Sequence, residues 1–350
     1  MSKENRIDFE TALSLYDMDF FELGELADKK RQAMHGKKTY FNINRHINPT
    51  NVCADVCKFC AYSATRKNPN QYTMSHEDIM QTVAEIDARG AKEVHIVSAH
   101  NPNVTLEWYL GIFKKIKMQY PHLHIKALTA AEVDFLSRHH GLTYDEVLDL
   151  MIKNGVDSMP GGGAEIFDET VRDNICKGKV TSDQWIEIHR KWHERGKKSN
   201  VTMLFGHIES RENREHRIDH MMRIRELQDI TGGFNCFIPL VYQTENNYLK
   251  IDKPITANEI LKTMAISRLV LDNVPNLKAY WVTSTVNLAL VAQEFGANDL
   301  DGTIEKESIN SAAGAKSANG VVLEDFTALI KNSGFIPVER DSIYNEIKVW

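Results

Sequence analysis

Cys53, Cys57 and Cys60 stand in the run Asn51-Val-Cys-Ala-Asp-Val-Cys-Lys-Phe-Cys60, a C-x₃-C-x₂-C spacing. Three clustered thiolates are one short of a closed site. A structural zinc takes four ligands, and so does a four-iron, four-sulfur cluster held wholly by protein. Two readings follow. One is a cubane with an iron left open to a small molecule; the other is zinc completed by a distant ligand such as His95 or His100. Cys176 and Cys236 are isolated in the sequence and read as packed thiols.

The thiolates need elements to hold them, and the chain alternates short apolar runs with longer amphipathic ones. Residues 9–36 read as helix, and 40–47 as a strand leading straight into the cysteine loop. Ser75 is an N-cap for a helix carrying Ile79, Val83 and Ile86, closed by Gly90. Further strands are expected at 94–97, 124–128, 155–159, 201–205, 234–238 and 277–282, with an eighth at 298–303; helical patterns separate them. Strand-then-helix units imply parallel strands, and eight of them imply a (β/α)₈ TIM-type barrel, although pattern alone also admits a doubly wound sheet. The expected organisation is a helical segment over 1–38 packed on the barrel, a core over 39–320, and a helix/strand extension of the same domain over 321–350. Polar and Gly-rich residues cluster after the strands: the cysteines, Ser98 to Asn101, Gly161-Gly162-Gly163, and Gly206-His207. In such a barrel the strand C-termini form the active face.

Composition narrows the function. The 350 residues are 42% hydrophobic with a formal charge of -6, which argues against a nucleic-acid partner and shows no basic stripe with interleaved aromatics. The polar start Met1-Ser-Lys-Glu-Asn-Arg6 is no secretory leader, and no apolar run approaches a membrane span. Five cysteines, three of them packed together, are not a disulfide framework, so a reducing cytoplasm is the expected compartment. His189 and His193 lie four apart on a predicted helix, but Arg-Lys-Trp between them lacks the metalloprotease glutamate, and they are read as a solvated face.

The cysteine loop, with Phe59 as the aromatic before its last cysteine, resembles the radical S-adenosylmethionine superfamily. More of the chain is similar to one branch of it, the menaquinone- and deazaflavin-pathway enzymes. The likeness runs through Tyr40-Phe-Asn-Ile-Asn-Arg-His46, Pro49-Thr-Asn-Val-Cys53 through Tyr62, and Pro160-Gly-Gly-Gly-Ala-Glu165. It continues through Met203-Leu-Phe-Gly-His-Ile-Glu209, Phe237-Ile-Pro-Leu240, Gly296-Ala-Asn-Asp-Leu-Asp-Gly-Thr303 and Ala313-Gly-Ala315, so that it covers roughly residues 9 to 320. Asn-Arg-His-Ile-Asn-Pro before the loop, Glu22-Leu-Gly-Glu-Leu-Ala27, and Leu240 make the aminofutalosine synthase family the most similar; the sister cyclase family more typically has Trp near Leu240.

The resemblance implies a [4Fe-4S] cluster on Cys53, Cys57 and Cys60, S-adenosylmethionine on its open iron, and a low-potential electron donor such as flavodoxin or ferredoxin. The implied substrate is an aromatic dicarboxylate, an enolpyruvyl ether of 3-hydroxybenzoate, to which the 5′-deoxyadenosyl radical adds. Two carboxylates ask for Arg, His⁺ or neutral donors, and His46 and His207 at strand ends are the candidates. Phe59, Tyr62, Ser98, Ala99, Gly162, Glu165, Arg172 and Glu132 are the implied cofactor contacts. The pattern is broken twice. Ser98-Ala99-His100 stands where relatives carry a Gly-Gly pair, and Ser311 where they carry His; neither touches the cluster ligands. The cyclase, a deazaflavin-synthase-like enzyme and a zinc-stabilised binding protein are the alternatives.

Overall fold

The computed structural model describes residues 6–65, 67–209, 214–251, 253–304, 308–315 and 320–350. Its strands are β1 (Lys38–Asn42), β2 (His46–Ile47), β3 (Glu93–Ile96), β4 (His124–Ala127), β5 (Ser158–Met159), β6 (Lys198–Phe205), β7 (Phe234–Val241), β8 (Asn276–Leu277), β9 (Asp299–Gly302), β10 (Ile336–Arg340) and β11 (Glu346–Val349). Strands β2 to β8 form a seven-stranded parallel sheet in sequence order, and β11-β10-β1-β9 a second sheet. The two are continuous at both ends. The chain runs directly from β1 into β2, and Lys278 bridges Asp299, with the Ala279 N–H donating to the Asp299 carbonyl at 2.9 Å. The result is a partial (β/α)₈ TIM-type barrel with helices outside, as the alternation of elements predicts.

Local chemistry sets the helix starts. Ser75, Thr129, Thr143 and Thr181 each cap a helix that follows a strand or loop, with an acidic or Gln residue three positions on closing a capping box. Each helix then lays one apolar stripe on the sheet, such as Ile79, Val83 and Ile86 of His76–Asp87. The N-terminal helix Phe20–His35 packs on Ala257–Val270, and a Cβ on Gly24 would sit 2.9 Å from the Phe295 ring. Among the described residues, no helix is long and apolar enough to cross a membrane.

Three local expectations change. The strand expected over 40–47 is broken at Ile43-Asn44-Arg45, because its two halves pair with different neighbours. Asn42 accepts from the Thr303 N–H on the β9 side, whereas His46 and Ile47 pair with β3. The strand expected over 277–282 stops at Leu277, and Trp281–Ser284 is a single helical turn whose fully buried indole donates to the Gly302 carbonyl at 2.8 Å. His189 and His193 are buried rather than solvated: His189 Nδ1 and His193 Nε2 both reach Ser199 Oγ, at 2.9 and 2.7 Å. Trp185, Ile188, His189, Trp192 and His193 share one helical stripe, which is the signal in the sequence that the histidine pair belongs to the core.

Burial holds His193 and His220 down to about 3, and His189 well below its ordinary value. The unfolded imidazoles, near about 6.5, therefore take up protons first as the pH falls, so stability is full above that value and lost below it. The loss should reach about 2 kcal/mol each for His193 and His220 at pH ~5, with His189 acting in the same direction. Urea unfolding at pH ~7.5 and ~5 measures it, and His193→Gln should show a smaller difference between the two.

Candidate active site

The cysteine loop is fastened on every side before any metal is considered. Thr50 pairs with Thr73 and Val52 with Ala64 as isolated bridges, and Asn51 Oδ1 accepts from the Tyr72 N–H at 2.8 Å. The Cys53 N–H donates to Ala64, the Ala54 N–H to His100 at 2.9 Å, and the Lys58 N–H to Ile175 at 2.7 Å. Within the loop, Asp55 takes the His100 Nδ1 at 2.8 Å, and the His100 ring stacks on Phe135. The Ser98-Ala99-His100 variation thus brings a side chain that anchors the cysteine loop itself.

Cys53, Cys57 and Cys60 are free thiols on the wall of one cavity of about 310 Å³ at the open end of the barrel. Burial pushes the Cys57 and Cys53 thiols up, so as naked thiolates they are disfavoured and call for a bound cation. The three thiols are spread along one wall of the cavity, and in a cubane each thiolate takes a separate iron. The donor set therefore fits an iron–sulfur cluster held by three cysteines.

Phe59, Tyr62, Ser98, Ala99, Gly162, Glu165 and His46 line the same cavity. Gly161 and Gly163 show why the turn after β5 is glycine: a Cβ on Gly161 would lie 2.6 Å from the Val201 Cα, and Gly163 has φ +88° against Ala131. Glu165, at φ +48°, pairs with Lys179 Nζ at 2.6 Å. Burial alone would raise the Glu165 carboxyl; Lys179, Arg172 and His207 more than offset it and hold it below its ordinary value. Lys179 Nζ also lies 5.8 Å from the Phe59 ring centroid.

Glu132, Arg172 and His207 are not among the residues that line the cavity. Glu132 is buried with both oxygens engaged, one by the Ser98 N–H at 2.8 Å and the other by the Thr129 N–H and hydroxyl. It ties the ends of β3 and β4 together. Arg172 gathers the carbonyls of Gly163, Ala164, Ile166 and Val180, and so fixes the glycine turn from behind. His207 contacts the Leu204 carbonyl at 3.0 Å and Glu209 at 2.9 Å. Burial opposes ionisation of Glu209, yet His207 and Arg217 bring its carboxyl down to about 2.

Deeper in the barrel the cavity meets residues that spacing did not single out. The His46 ring is 4.5 Å from His95 and stacks with Tyr280 at 6.5 Å. Lys126 pairs with Glu93 at 2.6 Å across β3 and β4, and Lys278 pairs with Asp301 from β9. A lysine inside an apolar parallel strand, as in His124-Ile-Lys-Ala, is the signal that could have found them. Lys179 has no such signal, because it enters from the loop after the helix Glu169–Cys176.

The Radical SAM superfamily profile matches residues 47–221, and the CofH/MqnC C-terminal region matches 231–349. The chain is 40% identical to an aminodeoxyfutalosine synthase of Thermus thermophilus over 99% of this chain and 93% of the relative. It is 38% identical to that of Streptomyces coelicolor, covering 98% and 91%. A 5-amino-6-(D-ribitylamino)uracil–L-tyrosine 4-hydroxyphenyl transferase of Methanococcoides burtonii is 36% identical, covering 97% and 95%. Among solved structures, methylornithine synthase matches with a TM-score of 0.76 at 14% identity, covering 95% of this chain and 94% of that one, a likeness of fold.

Replacing Arg172 by Met should lower stability by about 3 to 5 kcal/mol, since it strands several buried carbonyls; chemical denaturation checks it. His100→Ala should leave the fold intact and reduce the iron retained per chain after anaerobic reconstitution and desalting, read by metal analysis.

Proposed function

The chain belongs to the radical S-adenosylmethionine superfamily, and from that premise we propose that it is an aminodeoxyfutalosine synthase of menaquinone biosynthesis. The observation that carries the reading is likeness to two such synthases over nearly the whole chain, with the three cysteines on one cavity wall. The cofactors are a [4Fe-4S] cluster and S-adenosylmethionine, which when bound supply a 5′-deoxyadenosyl radical. The reaction is addition of that radical to 3-[(1-carboxyvinyl)oxy]benzoate, with rearrangement and decarboxylation to 6-amino-6-deoxyfutalosine.

The chain's own residues divide this work along the cavity. Cys53, Cys57 and Cys60 hold the cluster, with Asp55 and His100 bracing their loop. Glu165 and Lys179, of opposite charge beside Phe59, take the amine and carboxylate of the methionine end. The Gly162 turn and the Ser98-Ala99 backbone, held by Arg172 and Glu132, give the adenosyl group a close approach. His46, His95 and Tyr280, with Lys126 and Lys278 behind them, present rings and cations to the aromatic dicarboxylate. Leu240 and Ile238 supply the apolar wall that keeps water from the radical. The compartment expected from cysteine usage is the cytoplasm.

Anaerobic incubation of the reconstituted chain with dithionite as reductant, S-adenosylmethionine and the enolpyruvyl benzoate should give a nucleoside whose mass retains the adenosyl carbon skeleton. Accumulation of 5′-deoxyadenosine in its place would mark hydrogen abstraction and sink the synthase reading in favour of the cyclase or transferase chemistry. Cys53→Ala, Cys57→Ala and Cys60→Ala should each abolish turnover and the iron–sulfur absorbance, while far-ultraviolet circular dichroism stays unchanged.

A further inference from the structure

Among the described residues, each lysine on the wall of the main cavity already has a carboxylate of its own. Lys126 holds Glu93 at 2.6 Å, Lys179 holds Glu165 at 2.6 Å, and Lys278 holds Asp301. The other carboxylate on the wall, Asp55, lies 2.8 Å from His100 Nδ1, and no arginine among the described residues lines the cavity. These lysines have N–H donors to spare but no uncompensated charge. The cofactors add none, because the sulfonium of S-adenosylmethionine is offset by the negative charge of a cluster on three thiolates. A ligand with two carboxylates therefore enters a site that has no positive charge in excess, and anions taken out of water need one.

His46 and His95 are the imidazoles on that wall outside these pairs. Strand register sets His46, His95 and Lys126 side by side on β2, β3 and β4, and the two rings lie 4.5 Å apart. The Nε2 atom of each is buried and has no hydrogen-bond partner among the described residues. The charged and titratable groups facing this pair are Glu93 on β3, Lys126 on β4, Lys278 and Tyr280 just past β8, and Asp301 on β9. A second cavity that His46 also borders holds Tyr72 and Arg45, the latter occupied by Glu85 at 2.9 Å. Burial, His46 and Lys126 hold the His95 imidazole well below its ordinary value, so His95 stays neutral. Asp301 stays ionised near His46: burial opposes this, but Lys278 and His46 bring its carboxyl down to about 2.

We propose that His46 takes up a proton when an aromatic dicarboxylate binds, and that the imidazolium so formed is the counter-charge for one of the ligand's carboxylates. The inference rests on the substrate class proposed above. The proton comes from solvent, and no covalent bond to the ligand forms or breaks. Neutral His95 beside His46 adds no second charge to repel the first, and the ionised Asp301 favours the cation.

The test uses the reconstituted full chain with S-adenosylmethionine and no reductant, so that ligand binds without turnover. The probes are the enolpyruvyl benzoate and isophthalate, a rigid aromatic dicarboxylate. Calorimetry in buffers of different ionisation heat counts the protons at pH ~8, where free imidazole, near about 6.5, is neutral. Binding should take up about half a proton or more per chain, and Kd should rise up to about tenfold per pH unit between about 7.5 and 9. His46→Gln should take up less than about 0.2 proton and bind with a Kd nearly independent of pH, whereas His95→Gln should keep the uptake. In the unsubstituted chain carrying isotope-labelled histidine, nuclear magnetic resonance should show one ring change to the imidazolium pattern when ligand is added. That signal reads the protonation without relying on how a variant folds. Uptake below about 0.2 proton in the unsubstituted chain, or uptake unchanged in His46→Gln, would overturn the proposal. Uptake with isophthalate but no binding of the enolpyruvyl benzoate would overturn the proposed function alone, and no binding of either would overturn both.

Discussion

A buried thiolate without a cation is unstable, and much of the fold can be understood as the means of keeping three of them in one place regardless. The Cys53–Cys60 loop forms no helix and little strand, so its backbone groups find partners elsewhere: Ala64, His100, Ile175 and Tyr248 all take part. Each partner belongs to a different element, which makes the loop's position a property of the barrel mouth as a whole. Asp55 and His100 add a side-chain tie across it. The loop is therefore braced by the fold, and the cluster need only satisfy the thiols.

The same economy of unpaired charge governs the barrel interior. Glu93 and Lys126 pair across neighbouring strands, Lys278 just past β8 pairs with Asp301 of β9, and Asp299 of β9 reaches Arg340 of β10 across the intervening β1. Ions removed from water are tolerated only when paired at close range, and the first two of these pairs leave the cavity wall balanced before substrate enters. Burial would raise the Asp301 carboxyl, but Lys278 and His46 bring it down to about 2. Two lysines with donors to spare, beside two imidazoles, make a floor suited to an anionic aromatic ligand.

Much of the fold was legible because the physics involved is local. Capping residues such as Ser75 and Thr129, and stripes such as Ile79, Val83 and Ile86, depend only on neighbours in the chain. Errors came where a distant partner outweighed local pattern. The run from Tyr40 to Ile47 alternates like one strand but is split between two sheets, and Trp281 leaves its strand for Gly302. His189 and His193 lacked the spacing motif of a metal site and so looked solvated, yet the tryptophans beside them carried the evidence of burial. In the site, Glu132 and Arg172 show the same limit. Their types and places suggested contact with a ligand, while their hydrogen bonds are spent on Ser98, Thr129 and the glycine turn.

By itself the sequence determined the kind of chemistry: a C-x₃-C-x₂-C loop after a strand offers three thiolates and leaves the fourth place open, whatever surrounds it. It also determined the strand-helix rhythm, because periodicity and caps act over a few residues. Only the tertiary structure decided which charged groups share the cavity. Lys179, Lys126, Lys278 and Asp301 come from four separate segments, and their meeting depends on sheet order and register rather than on any spacing along the chain. It decided too that the cysteine loop, whose thiols line the cavity, holds Val56 out in solvent. A side chain's surroundings are set by long-range packing, which no local pattern encodes.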